Sequence, residues 1–415
     1  MTDLVCNAVP DSRPGAGPDA EPATPAWMAV FSLAMGVFGL LTAEYLPASL
    51  LTPMATELGV SEALAGQAVT VTAVVALFAG LLVPGLTRSI DRRWVLLAFS
   101  TLMIASNLLV AVSSSFVVLL LMRILLGIAL GGFWSMAAAV AMRLVPGALL
   151  PRALSIIFSG IAIGTVVAVP LGSYLGGLYG WRSAFFAAAA VGVVTLAFQS
   201  ITLPSLAPRR PARLRTVLEV LQRPGIGIGM FGCVLVHSGH FAMFTYVRPL
   251  LEGTTGIGPQ GLSLMLLGFG VANFVGTLVA GWMLARYPLA TLVSMPALVG
   301  VAALALVLLP ASVPGQAVLL AVWGLAFGGV PVAWSNWVAN AVPDQAESAG
   351  GMVVASVQSA IATGAAAGGA MFSLGGSAGV FVAAAVLMLL AAVLIALRVR
   401  VPSAEGAVLN RSARH

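Results

Sequence analysis

The chain has 415 residues, of which 60% are apolar and only 8% charged, with a formal net charge of +6; a water-soluble domain carries roughly a quarter charged residues. That balance excludes an ordinary soluble protein. A mean hydropathy of +1.06 also excludes chain-wide disorder, which needs low hydrophobicity and high charge.

In chain order, residues 1–26 are polar and rich in Pro, Gly and Asp. They lack the basic region and short apolar core of a cleaved signal peptide, so they read as a disordered cytoplasmic tail. Twelve apolar stretches follow, near 28–53, 65–87, 94–112, 116–141, 153–176, 183–202, 226–248, 260–284, 289–309, 315–339, 348–372 and 378–398. Each can cross about 30 Å of hydrocarbon as a helix, and continuous runs of this length are helical rather than the alternating pattern of a membrane barrel. The expected fold is an all-α integral membrane bundle of twelve transmembrane helices in two pseudo-symmetric halves. Its domains are an N-terminal six-helix half at 27–203, a cytoplasmic linker at 204–225, a C-terminal six-helix half at 226–400 and a cytoplasmic tail at 401–415. The longest connection, 203–225, holds five arginines and an amphipathic stretch around Val217, Leu218 and Leu221 that suits a membrane surface.

All nineteen basic residues are arginine, and sixteen of them fall on one side of the predicted spans. The other side carries only Arg182 and Arg248, and Arg123 lies inside a span. Arginines confined to the loops of one membrane face argue against nucleic acid as a partner. The positive-inside rule puts both termini in the cytoplasm, and an even number of spans agrees with their lying on one side. The two halves also look related: Gly127-Ile-Ala129-Leu-Gly131-Gly132 recurs as Gly324-Leu-Ala326-Phe-Gly328-Gly329 at an offset of 197 residues. A parallel six-plus-six repeat is the layout of rocker-type transporters, with the substrate near the midplane between halves.

Of the thirteen acids only Glu44 falls inside a span, and an ionisable group in hydrocarbon is by default a functional residue. Counting inward from Thr52 and Ser115, Glu44 and Arg123 both sit about 12 Å deep, so they can pair if spans one and four are neighbours. Either Glu44 takes up and releases a proton as its surroundings alternate, or the two form a permanent structural pair. His237 and His240 share a helical face, but no third ligand accompanies them and a metal site is not expected. His237 reads as structural. His240, almost opposite Glu44 by the repeat offset, fits a proton relay, a donor to substrate or a carbonyl-bonded structural histidine. Thr70, Asn107, Ser135, Asn273, Ser335, Asn336, Gln358 and Thr363 are interleaved with Tyr45, Phe133, Trp134, Trp323, Trp334 and Trp337. This mixture suits a cavity that stacks a flat ligand and reads its edge with amides; interfacial anchoring and helix glue are the structural alternatives for the same residues. The glycine pairs at 127/131, 172/176 and 324/328 read as close helix packing.

A chain without lysine has no phosphate-binding loop of the usual type, so energy would come from a gradient and no cofactor is expected. Nucleophile elbows, HExxH and paired CxxC are absent, and nothing points to an enzyme. The two cysteines, Cys6 and Cys233, suggest neither a disulfide framework nor a metal site.

Arg123 followed by Gly127 resembles the fourth-span motif of proton-coupled major facilitator antiporters. Pro170-Leu-Gly172 with Gly176-Gly177 is similar to that family's antiporter motif, with Val169 where the usual glycine precedes the proline. The loop PGLTRSIDRRWVLL resembles the cytoplasmic gating motif at Asp91, Arg92 and Arg93; Arg88 replaces the usual acid and Pro84 the first glycine. Asp91 is then the candidate substitute carboxylate. Four strings extend the resemblance: AEYLPASLLTPMATELGVSEALAGQAVTVT from Ala43, LGGFWSMAAAVAMRLVP from Leu130, GHFAMFTYVRP from Gly239 and PVAWSNWVANAVPDQAESAGG from Pro331. They resemble the bacterial drug:proton antiporter branch and, within it, exporters of purine ribonucleosides.

The resemblance implies proton-driven efflux of nucleosides such as inosine and guanosine across the bacterial inner membrane, by a single chain surrounded by lipid. It implies coupling at Glu44 and Arg123, to which His240 is added. The substrate-binding candidates are Tyr45, Trp134, Asn273, Trp334, Asn336 and Gln358, and the gating candidates Arg88, Asp91, Arg92, Arg93, Pro170 and Gly172. Rival readings are a broader drug or sugar:proton antiporter of the same branch and, more remotely, a membrane sensor that binds ligand without moving it.

Overall fold

The computed structural model describes residues 24–146, 149–208, 219–309, 312–342 and 346–400, and among them there is no strand. The N-terminal half runs through α1 (Trp27–Ser49), the short α2 (Leu51–Leu58) and α3 (Glu62–Ala65), then α4 (Gln67–Leu86), α5 (Arg92–Val112), α6 (Phe116–Leu144), α7 (Leu150–Tyr179) and α8 (Trp181–Thr202). The C-terminal half repeats this order with α9 (Ile226–Thr245), the short α10 (Val247–Thr255), α11 (Pro259–Arg286), α12 (Pro288–Leu308), α13 (Val313–Ala341) and a last stretch, Ala346–Arg398. Gly375 and Gly376 leave helical backbone angles inside that stretch, which is therefore two helices, α14 over 346–374 and α15 over 377–398.

Among the described residues eleven continuous helices are long and apolar enough to span a membrane, the last of them 48 residues long. At 1.5 Å per residue it would measure about 72 Å, more than twice a hydrocarbon core. Broken at Gly375 and Gly376, it makes two crossings and brings the total to twelve. The expectations for the tails fall on residues 1–23 and 401–415, outside the described residues, as do Val217 and Leu218.

The first and seventh spans end earlier than their apolar runs. Helical geometry stops at Leu50 (φ −115°, ψ 11°) and at Tyr246 (φ −110°, ψ 17°), and the chain continues as α2 and α10. Hydropathy overshoots because Leu50, Leu51 and Val247, at the starts of these turns, are apolar and buried in the bundle.

The offset of 197 residues carries Phe116–Leu144 onto Val313–Ala341 end to end. It also carries Gly59 onto Gly256; these residues end α2 and α10 at φ 64° and 62°, a left-handed conformation that glycine adopts without steric cost. The repeated glycines do the same work twice. Gly127 and Gly131 of α6 face the carbonyls of Thr72 and Ala76 on α4, and Gly324 and Gly328 of α13 face those of Phe269 and Asn273 on α11. Small residues let membrane helices approach until backbones touch. The two halves meet along two equivalent seams: α7 against α11, with Gly177 on Pro259 and Gly270 on Val166, and α4 against α14, where Val69 and Ala73 cluster with Ile361, Ala362 and Ala365.

A Cβ at Gly131 or Gly328 would run into a backbone oxygen, whereas one at Gly268 meets nothing within 4 Å. Gly131→Ala and Gly328→Ala are each expected to cost about 1–3 kcal/mol as the helices are forced apart. Thermal unfolding in detergent should therefore show a lowered midpoint for both, and an unchanged or slightly raised one for Gly268→Ala, which gains helix propensity.

Candidate functional site

The site begins with a proline. Pro47 lies inside α1 and has no N–H, so the carbonyl of Ala43, four residues earlier, loses its helical donor. Arg123 of α6, fully buried, fills the gap: its Nη1 donates to Ala43 O at 2.8 Å, Nη2 to Glu44 O at 3.4 Å, and Nε to the Thr72 hydroxyl on α4 at 2.9 Å. A guanidinium taken out of water survives only when its donors are satisfied in this way. Glu44 is 3% exposed. Its carboxylate receives none of these bonds, and Oε1 is buried without a hydrogen-bond partner. The structure thus sets Glu44 beside Arg123 while the guanidinium is held by α1 backbone and by Thr72.

At the same level of the C-terminal half stands an aromatic box. His240 on α9 is stacked on Phe327 with ring centroids 3.2 Å apart, and it lies near-parallel to Phe244 at 5.5 Å and Phe269 at 6.4 Å. Trp323 Nε1 donates to His240 Nδ1 at 3.1 Å, which leaves the ring proton of the neutral imidazole on Nε2. Tyr45 joins the two halves of the site: it belongs to α1, next to Glu44, and its ring lies 5.5 Å from Phe244 and 6.5 Å from Phe241. A continuous path therefore runs from Arg123 through Glu44 and Tyr45 to the box.

The other cavity candidates are scattered around this path. Asn273 is half-buried one turn along α11 from Phe269. Gln358 is 4% exposed with Oε1 unpartnered. Trp134 is half-buried and stacks on Phe158 at 6.0 Å, some 16 Å along α6 from Arg123. Trp334 is buried in the C-terminal core, edge-on to Trp337 at 5.5 Å, and Asn336 is exposed and accepts from Asn340 Nδ2. Both lie about 16–20 Å along α13 from Trp323, so the structure does not bring them to the box. His237 donates from Nδ1 to Cys233 O at 2.8 Å. Thr72, Phe244, Phe269 and Phe327 escape sequence reasoning because one threonine in an apolar run and phenylalanines at helical spacing read as ordinary core.

A profile of the Major Facilitator Superfamily matches residues 31–247 and 230–414. The chain belongs to that superfamily. It is 44% identical over 379 residues to the purine ribonucleoside efflux pumps NepI of Salmonella enteritidis PT4 and of Salmonella typhimurium, over 91% of this chain and 96% of each relative. Among solved structures it resembles the nucleoside transporter NupG (TM-score 0.75, 15% identity, 90% of this chain and 100% of that one). It also resembles a D-xylose-proton symporter (TM-score 0.72, 19% identity, 91% and 98%). At these identities the two structures speak for the fold alone.

In this superfamily member the loop after α4 works within its own half. Asp91 caps α5 by accepting from the Arg93 N–H at 2.8 Å, and it also accepts from the Ser205 hydroxyl at 2.5 Å and the Leu206 N–H at 2.9 Å. Arg92 N–H donates to Leu206 O at 3.0 Å, Arg93 Nη2 to Ser200 O at 2.8 Å and Arg143 Nη1 to Ala207 O at 2.8 Å. The Arg92 guanidinium turns back onto Thr87, and Arg88 is exposed. Asp91 therefore ties the start of the linker to the N-terminal half. On α7, which contains Pro170, Gly172 and Gly176 lie against Leu46, Ser49 and Leu50, so α7 rests on the length of α1 that follows Glu44.

Burial works against the charged form of Asp91. The bonds from Ser205, Arg93 and Leu206 and the nearby Arg143 guanidinium outweigh it and hold the carboxyl below the usual carboxylate range. A depressed folded-state pKa adds stability that is present above the unfolded value and is lost as pH falls through the folded one. Asp91→Asn is expected to lower the thermal midpoint at pH 7 by about 2 °C. The gap to the parent should close as the pH is taken below 4, which a pH series of melting curves would show.

Proposed function

We propose that the protein exports purine ribonucleosides, such as inosine and guanosine, from the cytoplasm across a bacterial inner membrane in exchange for protons. The observation that carries this is the 44% identity to purine ribonucleoside efflux pumps over 91% of the chain. The distribution of arginines supports an arginine-rich face in the cytoplasm, with both termini there. The two six-helix halves rock about the site, exposing it to one side and then the other.

In this reading Glu44 is the proton carrier. Its free carboxylate oxygen binds a proton on one side and gives it up on the other, while Arg123, pinned to Ala43 and Glu44 carbonyls, keeps a positive charge beside it. His240 supports the exchange as a fixed Nε2 donor at the end of the path. A flat purine is suited to rings such as Tyr45, Phe244 and Phe327, since aromatic faces stack with offset geometry, and Asn273 and Gln358 offer amides to its edge. Trp134 and Asn336 stand on the cytoplasmic side of the box, along the way to it, whereas Trp334, buried in the C-terminal core, takes no part. Arg88, Asp91, Arg92, Arg93, Pro170 and Gly172 serve the gate through the linker and through α1. The chain works as a monomer, with the proton gradient as its only energy source.

The test is uptake of radiolabelled inosine into inverted membrane vesicles with an acidic interior. Accumulation should require the gradient, vanish with an uncoupler and be competed by guanosine; Glu44→Gln should reduce it about tenfold or more. Vesicles that release protons on adding drugs but accumulate neither nucleoside would sink the nucleoside reading. A Glu44→Gln protein with parental rate and gradient dependence would remove the carboxylate from the mechanism.

A further inference from the structure

At the arginine-poor ends of α1 and α9 the two halves are tied by side chains at the break between α9 and α10. Tyr246 occupies that break and is fully buried. Its hydroxyl crosses to the N-terminal half, donating to Ala63 O at 3.3 Å, and its ring stacks on Phe372 of α14 at 5.1 Å. The socket that receives the hydroxyl is built by missing side chains. A Cβ on Gly66 of the N-terminal half would collide with it, and one on Gly369 of the C-terminal half would come within 2.9 Å of it.

Two residues further on, Arg248 is 5% exposed and donates from Nη1 to Ser49 O at 2.6 Å. Its Nε and Nη2 are held by Glu252 Oε1, each at 2.9 Å. Ser49 is the last residue of α1, a helix with no basic residue in its own last turn. The opposite half thus supplies the cation that the carbonyl end of α1 favours. Among the described residues Arg182, the other arginine of this face, bonds to Glu57 and Ser113, both within the N-terminal half.

We propose that Tyr246 and Arg248 form the latch that closes the outward face of the transporter and release together when the halves part on that side. The hydroxyl, the guanidinium and the Ser49 carbonyl can all exchange their cross-interface bonds for water at little net cost, as a reversible closure needs. That this face is the outward one rests on the proposed orientation; the contact itself does not depend on the substrate.

The test uses the full-length chain with Cys6→Ser and Cys233→Ala and a reporter at Ala48→Cys, a position 3% exposed and packed in one cluster with Val247 and Leu250. Its reaction with a membrane-impermeant maleimide is followed in right-side-out vesicles. Arg248→Gln and Gly66→Ala should speed labelling about tenfold, and Tyr246→Phe, which loses only the hydroxyl, about two- to fivefold. Arg182→Gln should leave it unchanged. Labelling of Arg248→Gln at the parental rate, or equal acceleration by Arg182→Gln, would overturn the latch; if Gly66→Ala does not fold, Tyr246→Phe carries its arm of the test. Acceleration confined to inverted vesicles would overturn its assignment to the outward face. The expected pattern in vesicles that take up no nucleoside would leave the latch standing and refute only the substrate.

Discussion

A carbonyl without a donor is costly where no water can reach it, and Pro47 creates one in the middle of a membrane-spanning bundle. The protein answers with a buried arginine, and much of the site follows from that pairing. Arg123 can reach Ala43 only if α6 lies close to α1, and it can reach Thr72 only if α6 lies close to α4. The second closeness is provided one turn away, where Gly127 faces the Thr72 carbonyl. With its donors committed to backbone and hydroxyl, the guanidinium does not neutralise Glu44 by direct contact. A salt-bridged carboxylate would be a structural fixture; one left beside a pinned charge can exchange a proton.

The internal repeat sharpens this picture. The same scaffold is used twice, with glycines meeting carbonyls at matched positions, yet each member of the charged cluster is replaced at its repeat mate. Leu320 stands where Arg123 does, Phe269 where Thr72 does, His240 where Ala43 does and Phe244 where Pro47 does. Without the proline no carbonyl is freed, so no arginine is needed, and three of these positions, His240, Phe244 and Phe269, become part of the aromatic box. One half carries charge and the other carries rings, and they touch through Tyr45 and Phe244. Placing both functions in one half would crowd a polar cluster and a stacking surface onto the same helices.

Much of this was legible in the amino-acid order. Twelve runs of hydrocarbon length, the arginine asymmetry and the 197-residue repeat led to the bundle, and Glu44 and Arg123 stood out because charge is expensive in lipid. What escaped was set by approach rather than by composition. Thr72 becomes a ligand of Arg123 only because glycines let α4 and α6 close up, and Phe269 and Phe327 become box walls only once α9, α11 and α13 are assembled. Trp334 and Asn336 failed to join them for the converse reason: aromatic and amide residues on one helix look alike in sequence whether they sit beside the box or about three turns from it. The first residues of the short helices α2 and α10 were absorbed into the preceding spans because hydropathy registers burial, and Leu51 and Val247 are buried.

The two kinds of contact between the halves differ in what water can replace. Along the α7–α11 and α4–α14 seams, backbone and small apolar groups meet, and opening them would expose surface that gains nothing from solvent. At the Tyr246 and Arg248 contact every bond is one that water can substitute. The Asp91 cluster is different again: all its partners belong to the N-terminal half or to the first residues of the linker, so it can stay intact while the halves move. A transporter needs hinges that hold, an anchor for the chain between its halves, and a closure that lets go. The chemistry of these three contacts sorts them into those roles, because a rocking motion breaks what costs least to break.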